Sequence, residues 1–376
     1  MGKDYHSKPA DAQLLSKTIN FLRFPLIVGV VFIHTDFSDV VIRGVKSINL
    51  VNYPIFSSIS FLFSKVIFEV CVPLFFFISG FLFFYKTERF SFEVYLKKLK
   101  GRIYSLLIPY IFWNLIVLLF FFLAQTFLSG GLMSGRNKLI TYYSLTDCLW
   151  SFWDTSHINP HFEKTLPINS PFWFIRDLMV VIVTSPLLYF LIEKLKVYAV
   201  IFLGVLWVIN PYFYQPGIST VSFFFFAAGA YFSINKKNFV GILKPLLYQS
   251  GVLYLLLVIA MFYFLGTNWW NYLYCAGVMT GLVFAVALSA HFIEKEKWRM
   301  APFWTNGSFF VFAYHRLPLV FVIKFLFTLV RPHSDAALLF LYVACPTIII
   351  ALGLLSFGVM RFIFPKFTAF ICGGRY

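Results

Sequence analysis

Charge is the scarcest commodity in this sequence. Of its 376 residues only 12% are Asp, Glu, Lys or Arg, and only 15 of them are acidic. A soluble domain carries roughly 25% charged residues, so half of the expected charge is missing. Also lacking is the apolar–polar alternation over about ten residues that would mark the strands of a membrane β-barrel. The five cysteines (Cys71, Cys148, Cys275, Cys345, Cys372) are scattered and odd in number. They make no C-x-x-C spacing and no disulfide framework, and are expected to be thiols in the core or facing lipid. Residues 1–17 are polar and mixed in charge, without an apolar h-region or a small-residue cleavage site. A cleaved signal peptide is therefore not expected, and the first span should act as an uncleaved anchor. No internal repeat is evident, and the proline interruptions at Pro25, Pro73, Pro109, Pro186, Pro318 and Pro346 show no symmetry between halves. Both facts argue against a transporter built from duplicated units. No stretch reads as a soluble catalytic domain, so any chemistry is expected inside the membrane.

What is present is apolar residues in long runs. They make up 60% of the chain, with Phe used 51 times. A run of about 18 or more such residues reads as a spanning helix, because the hydrocarbon core is about 30 Å thick and a helix rises about 1.5 Å per residue. The pattern predicts an all-α, polytopic membrane bundle of about ten helices, over 18–36, 61–85, 104–128, 172–192, 197–214, 219–234, 245–265, 271–292, 307–329 and 336–362. Orientation follows from Lys and Arg. Clusters such as Lys97, Lys98, Lys100 and Arg102, or Lys295, Lys297 and Arg299, fall in the even-numbered connections and the tails. The odd connections hold few: Arg43, Lys46, Arg136, Lys138, Lys164 and Arg331. The positive-inside rule then places both termini in the cytoplasm. The chain divides into a cytoplasmic N-terminal tail (1–17), a membrane domain (18–363) and a cytoplasmic C-terminal tail (364–376). The net charge of +16 is thus topological. No basic soluble module accompanies it, and nucleic-acid binding is not expected. One long outer connection, 129–171, is expected to cover an outer cavity.

Ionisable residues within spans are costly, about 2.5–3.5 kcal/mol each near a helix centre, and usually face a cavity or a partner. Arg23 and His34 lie eleven positions apart. At about 100° per residue they return to within about 20° of one direction, roughly 16 Å apart along the axis. Two readings of this stripe stand side by side. Arg23 holds an anionic donor from the cytosol while the His34 imidazole takes a proton from an acceptor hydroxyl; or Arg23 snorkels to the inner interface and His34 merely ends the helix near Asp36. Lys65 and Glu69, at i and i+4, are read as a neutralising pair, with Glu69 also in reach of an outer substrate. Arg176 and Asp177 are adjacent, so their side chains are expected to point apart. His315 and Arg316 precede Pro318, which loosens the helix and favours a cavity there or a packed core. His157 and His161, near Asp154 and Glu163, have a metal-like spacing, but Asn159–Pro160 opposes the helix it needs, and no metal is expected.

Several segments together resemble the acyltransferase 3 family of bacterial membrane O-acyltransferases of surface carbohydrates. Arg23 and His34 in the first span resemble its Arg-x10-His signature. Val72-Pro-Leu-Phe-Phe-Phe-Ile-Ser-Gly80 is similar to its Phe-Phe-x-Ser-Gly element. Lys97-Lys-Leu-Lys-Gly-Arg102-Ile-Tyr-Ser105, followed by Pro109, resembles its Arg-x-x-Arg before a proline. Pro171-Phe-Trp173-Phe-Ile-Arg176 and Ser308-Phe-Phe-Val-Phe-Ala-Tyr314-His315 resemble two later elements, all in family order. There are two departures: Ser105 stands at the second arginine of Arg-x-x-Arg, and His315 follows Tyr314 directly.

The resemblance implies an enzyme of the bacterial inner membrane. It would move an acyl group, expected to be acetyl, from cytoplasmic acyl-CoA to a hydroxyl of a surface or lipid-linked glycan, with no permanently bound cofactor. Transfer is either direct or through an acyl-enzyme intermediate. The implied site has His34 and Arg23 as catalytic residues and Arg102 with Lys98 or Lys100 on the acyl-CoA phosphates. Glu69, Trp173, Arg176 and His315 would touch the acceptor, with Trp150 and Trp153 as further sugar-stacking rings. The competing reading is a transporter or flippase of a lipid-linked glycan.

Overall fold

The computed structural model of the chain describes residues 9–38, 40–42, 45–127, 137–159 and 165–375. Most of them are helical, joined by turns and loops, and the strands among them are two two-residue hairpins, Val41–Ile42 with Val45–Lys46 and Tyr214–Gln215 with Ile218–Ser219. Among the described residues six helices are long and apolar enough to cross a membrane: Asp11–Ile33, Pro54–Phe84, Phe92–Phe127, Phe239–Tyr263, Trp270–Glu294 and Asp335–Ile363. Two bent pairs, Ser170–Val183 with Ser185–Leu195 and Pro302–Tyr314 with Arg316–Val330, bring the number to eight. The apolar helices Val197–Ile209 and Thr220–Ile234 have 13 and 15 residues. At about 1.5 Å per residue they fall short of a 30 Å hydrocarbon layer on their own.

Every expected span coincides with one of these units, but several boundaries differ. Hydropathy registers where a helix is apolar, not where it begins. Ser91 caps the third long helix by accepting from the Val94 N–H, so that helix begins at Phe92 and carries the Lys97–Arg102 cluster on its first turns. The spans expected at 172–192 and 307–329 are each broken, by 62° and 74°. Pro186 and Pro318 follow the breaks, where a missing N–H and a ring clash with the preceding turn remove the helical bond.

The surface of the bundle is apolar where a soluble protein would be polar. Phe239–Tyr263 buries only 17% of its apolar window, leaving Leu253 and Leu256 more than half of the way out or close to it, at 50% and 58% exposure. So large a contiguous apolar face suits a lipid solvent.

The most extensive helix pairing joins Cys71–Phe84 to Thr220–Ile234. It is built on glycine. A Cβ at Gly80 would overlap the Phe226 carbonyl, and one at Gly229 would overlap the Phe77 carbonyl, so the two backbones touch directly, as small residues permit in membranes. Gly229→Ala is expected to cost about 1–3 kcal/mol through overpacking. The check is thermal unfolding in detergent, and a wild-type melting temperature would contradict the close approach.

Candidate active site

The four residues Arg23, Ile27, Val30 and His34 follow one another at steps of four, three and four along the first helix. That is one face of an α-helix, and all four line a single cavity of about 190 Å³. The helix proper ends at Ile33, but the His34 N–H still bonds the Val30 carbonyl at 3.3 Å, so the helical register carries through to the imidazole. The cavity thus has an arginine toward one end and a histidine toward the other. Val72, Phe75 and Ser79 face it from the second helical stretch, and Arg102 and Leu106 from the third. Trp173 and Phe174 reach it from the broken fourth unit, and Ser308 and Phe312 from Pro302–Tyr314. A predominantly apolar lining with few polar groups at its ends is the usual make-up of a small-molecule site.

The third helix deforms at the cavity. Residues Ile103–Leu107 form a π turn, a feature often found where a helix serves a site. Pro109 has no N–H for the Ser105 carbonyl four residues earlier, which accounts for the irregularity. Against this point lies the end of the chain. After the short helix Pro365–Ile371 the backbone turns through Gly373 and Gly374, both with positive φ (+63° and +78°). A Cβ at Gly373 would lie 2.6 Å from the Ser105 carbonyl oxygen. Trp113 Nε1 donates to the Ile371 carbonyl at 3.1 Å, and Ile371 and Cys372 are buried. The turn delivers Arg375 to the cavity wall beside Arg23 and Arg102. Burial first, and then the positive charges of Arg102 and Arg23, push the Arg375 guanidinium down to about 10, so it remains a cation at neutral pH.

His315 sits at the second break. It is fully buried, its ring centroid 5.3 Å from that of His34. Its Nδ1 lies 2.7 Å from the Phe312 carbonyl. A carbonyl only accepts, so Nδ1 carries the proton and Nε2 is the acceptor nitrogen. That Nε2 is buried with no hydrogen-bond partner among the described residues. His315 does not line the cavity, and its ring packs beside that of His34.

Arg176 and Asp177 correct the sequence reading. They do pair, with Nη2 3.2 Å from Oδ1, and both side chains are fully buried. Adjacent Cβ atoms diverge, but a guanidinium on a three-carbon stem is long enough to turn back onto its neighbour. All five of its N–H donors are occupied. Nε and Nη2 reach Asp177, Nη1 the carbonyls of Trp153 and Thr165, and Nη2 also the Tyr214 hydroxyl. Asp177 accepts from Ser219 Oγ at 2.8 Å. The pair therefore staples the 129–171 connection to the 214–219 hairpin, and neither residue lines the cavity.

The remaining expected site residues are dispersed. Glu69 accepts from the Tyr274 hydroxyl at 3.1 Å, away from the cavity wall, on a stretch where the π turn Leu62–Ile67 breaks the regular spacing assumed for Lys65 and Glu69. Lys98 donates to the Phe83 carbonyl at 2.6 Å, and Lys100 is exposed; neither lines the cavity. Trp150 stacks on His157 at 4.0 Å, and Trp153 lies under the Arg176 guanidinium. His161 and Glu163 fall outside the described residues.

The described parts of the long connection, 137–159 and 165–171, fold against the third helix, where the Ile140 N–H donates to Gln125 Oε1. A helix Leu145–Trp153 starts with a capping box of Ser144 and Asp147. The Asn169 N–H donates to Asn114 Oδ1 at 3.0 Å, and its side-chain amide donates to the Ala313 carbonyl at 3.2 Å. These bonds anchor the segment that carries Pro171 and Trp173, both of which line the cavity.

Residues 16–357 match a family model described as an acyltransferase domain, that of the acyltransferase 3 family. The chain belongs to this family. Membership makes it a membrane acyltransferase and favours that reading over the transporter. The chain is also similar to the succinoglycan biosynthesis protein ExoH of Rhizobium meliloti (strain 1021), at 27% identity over 372 residues. These cover 96% of this chain and 93% of that one. No solved structure matches it significantly. The family-like segments converge: Ser79, Arg102, Trp173 and Ser308, each from a different one, meet Arg23 and His34 around one cavity. Arg375 was missed by sequence reasoning. It lies in what reads as a solvated tail, and its one local signal is the Gly373–Gly374 pair behind an apolar helix.

Proposed function

We propose that this chain is an acetyl-CoA-dependent O-acyltransferase of the bacterial inner membrane that esterifies a hydroxyl of a surface or lipid-linked glycan. The observation that carries the reading is that Arg23 and His34, some 16 Å apart on one helix face by rise alone, border the same cavity. If the two short helices also cross, in a locally thinned layer, the count with the two bent pairs is ten; this reading sets both termini in the cytoplasm and the Arg23 end toward the compartment that holds acyl-CoA. The distribution of Lys and Arg supports this orientation. The acceptor enters from the opposite side, past Trp173. The printed name of the Rhizobium relative, a succinoglycan biosynthesis protein, supports a polysaccharide acceptor.

In this reading the guanidinium groups of Arg23 and Arg102 grip donor phosphate, where planar forks bind bidentately. The thioester lies along the apolar wall. His34 removes the proton from the acceptor hydroxyl as its oxygen bonds to the thioester carbonyl carbon. The C–S bond breaks, the sulfur leaves as thiolate, and the His34 imidazolium returns the proton to it. The products are an O-acyl ester and free CoA thiol. General base assistance of this kind contributes about 10²–10⁴-fold.

The test is purified protein in lipid nanodiscs with isotopically labelled acetyl-CoA and the host's surface glycan or its lipid-linked precursor. The expected result is one labelled ester per CoA thiol released. Movement of the glycan across a bilayer with no thioester consumed would overturn the proposal.

A further inference from the structure

Three arginines from three distant parts of the chain, Arg23, Arg102 and Arg375, line one cavity. Arg375 is the one of the three with a solvent-shielded nitrogen that lacks a partner among the described residues. The residue as a whole is partly buried, and the nitrogen is its Nη1. Its guanidinium lies over the Phe309 ring at 4.5 Å, which holds the plane of the fork but satisfies none of its N–H donors.

Like charges brought together away from water repel strongly, and the free energy is recovered when an anion joins them. A tail without a task would keep its arginine in solvent. Here the chain instead adopts two consecutive positive-φ glycines and presses Gly373 onto the Ser105 carbonyl, which brings Arg375 inside. Ser105 is the position at which the Arg-x-x-Arg pattern has a second arginine.

We infer that Arg375, carried in by the C-terminal turn, is a binding residue for a phosphate-bearing ligand. It supplies from the far end of the chain the cation that the third helix lacks at Ser105. That the ligand's phosphates are those of an acyl-CoA rests on the proposed function; the anion site itself does not.

The test compares wild type, Arg375→Ala, Arg375→Lys and Gly373→Ala, each as the full chain in nanodiscs, by calorimetric titration and ligand-induced thermal shift. The probes are coenzyme A, pyrophosphate and acetyl-pantetheine, which has no phosphate. Loss of one charge-assisted contact predicts that Arg375→Ala weakens coenzyme A about 10- to 100-fold. Arg375→Lys should recover part of this, and acetyl-pantetheine should be bound equally by all variants. Gly373→Ala, with its cation intact but its turn blocked, should behave like Arg375→Ala. Removing one of three mutually repelling cations should leave the ligand-free melting temperature unchanged or raised.

Wild-type affinity of Arg375→Ala for both coenzyme A and pyrophosphate would overturn the inference. So would a lower melting temperature with an undiminished ligand-induced shift, which is the mark of a packing role. Arg375-dependent binding of pyrophosphate by a wild type that ignores coenzyme A would uphold the anion site and overturn the acyl-CoA donor.

Discussion

Replacing His34 by alanine is expected to lower acyl transfer by about 10²–10⁴-fold, the usual contribution of a general base, with the bundle left intact. The imidazole is partly buried just past the last turn of the first helix, borders the cavity and touches the His315 ring. Truncating it removes no helical hydrogen bond, since the His34 N–H to Val30 carbonyl bond belongs to the backbone. The effect should therefore appear in kcat rather than in the donor KM, and the melting temperature should stay within a degree or two. Acylation of the glycan at close to wild-type rate in the variant would remove His34 from the mechanism. His315→Gln supplies a graded control. It acts through His34, so it should shift the pH profile of kcat and leave the KM for acetyl-CoA in place.

The second large effect is structural. Arg176→Ala should destabilise the protein by about 3–5 kcal/mol, because it strands Asp177 as an unpaired buried charge. The same change frees the Trp153 and Thr165 carbonyls and the Tyr214 hydroxyl that the guanidinium ties together. The expected readout is a sharply lowered melting temperature together with faster proteolysis in the 137–159 segment. Changing both partners to leucine should be milder, since no charge is then left without its counter-ion. A stable Arg176→Ala protein that loses acceptor affinity alone would return Arg176 to the substrate-facing role read from the sequence.

The two arginines contrast in how far sequence reasoning reaches. Arg23 shares a face with His34 because helical geometry is periodic, so the phase between them can be counted without coordinates. Arg176 sits in an equally suggestive segment beside Trp173, yet it faces the protein interior. Which side of a helix is interior depends on how the 129–171 connection folds over it and on the 214–219 hairpin, and the local residue pattern specifies neither. Glu69, Lys98 and Lys100 are also off the cavity wall, Lys100 on the exposed surface. The two breaks, at Thr184 and His315, were signalled by Pro186 and Pro318, although a proline marks where a helix bends and not in which direction.

By itself the sequence determined the medium and the scaffold. Scarce charge and long apolar runs dictate helices in lipid, because there each backbone polar group must be bonded within its own segment. The shared face of Arg23 and His34 on the first helix followed from the 3.6-residue period. The tertiary structure alone decided which other cations join that face. Arg375 is distant from Arg23 and Arg102 along the chain, and a turn of two glycines against a proline-freed carbonyl brings the three to one cavity. No local pattern encodes that meeting: it depends on the packing of segments hundreds of residues apart.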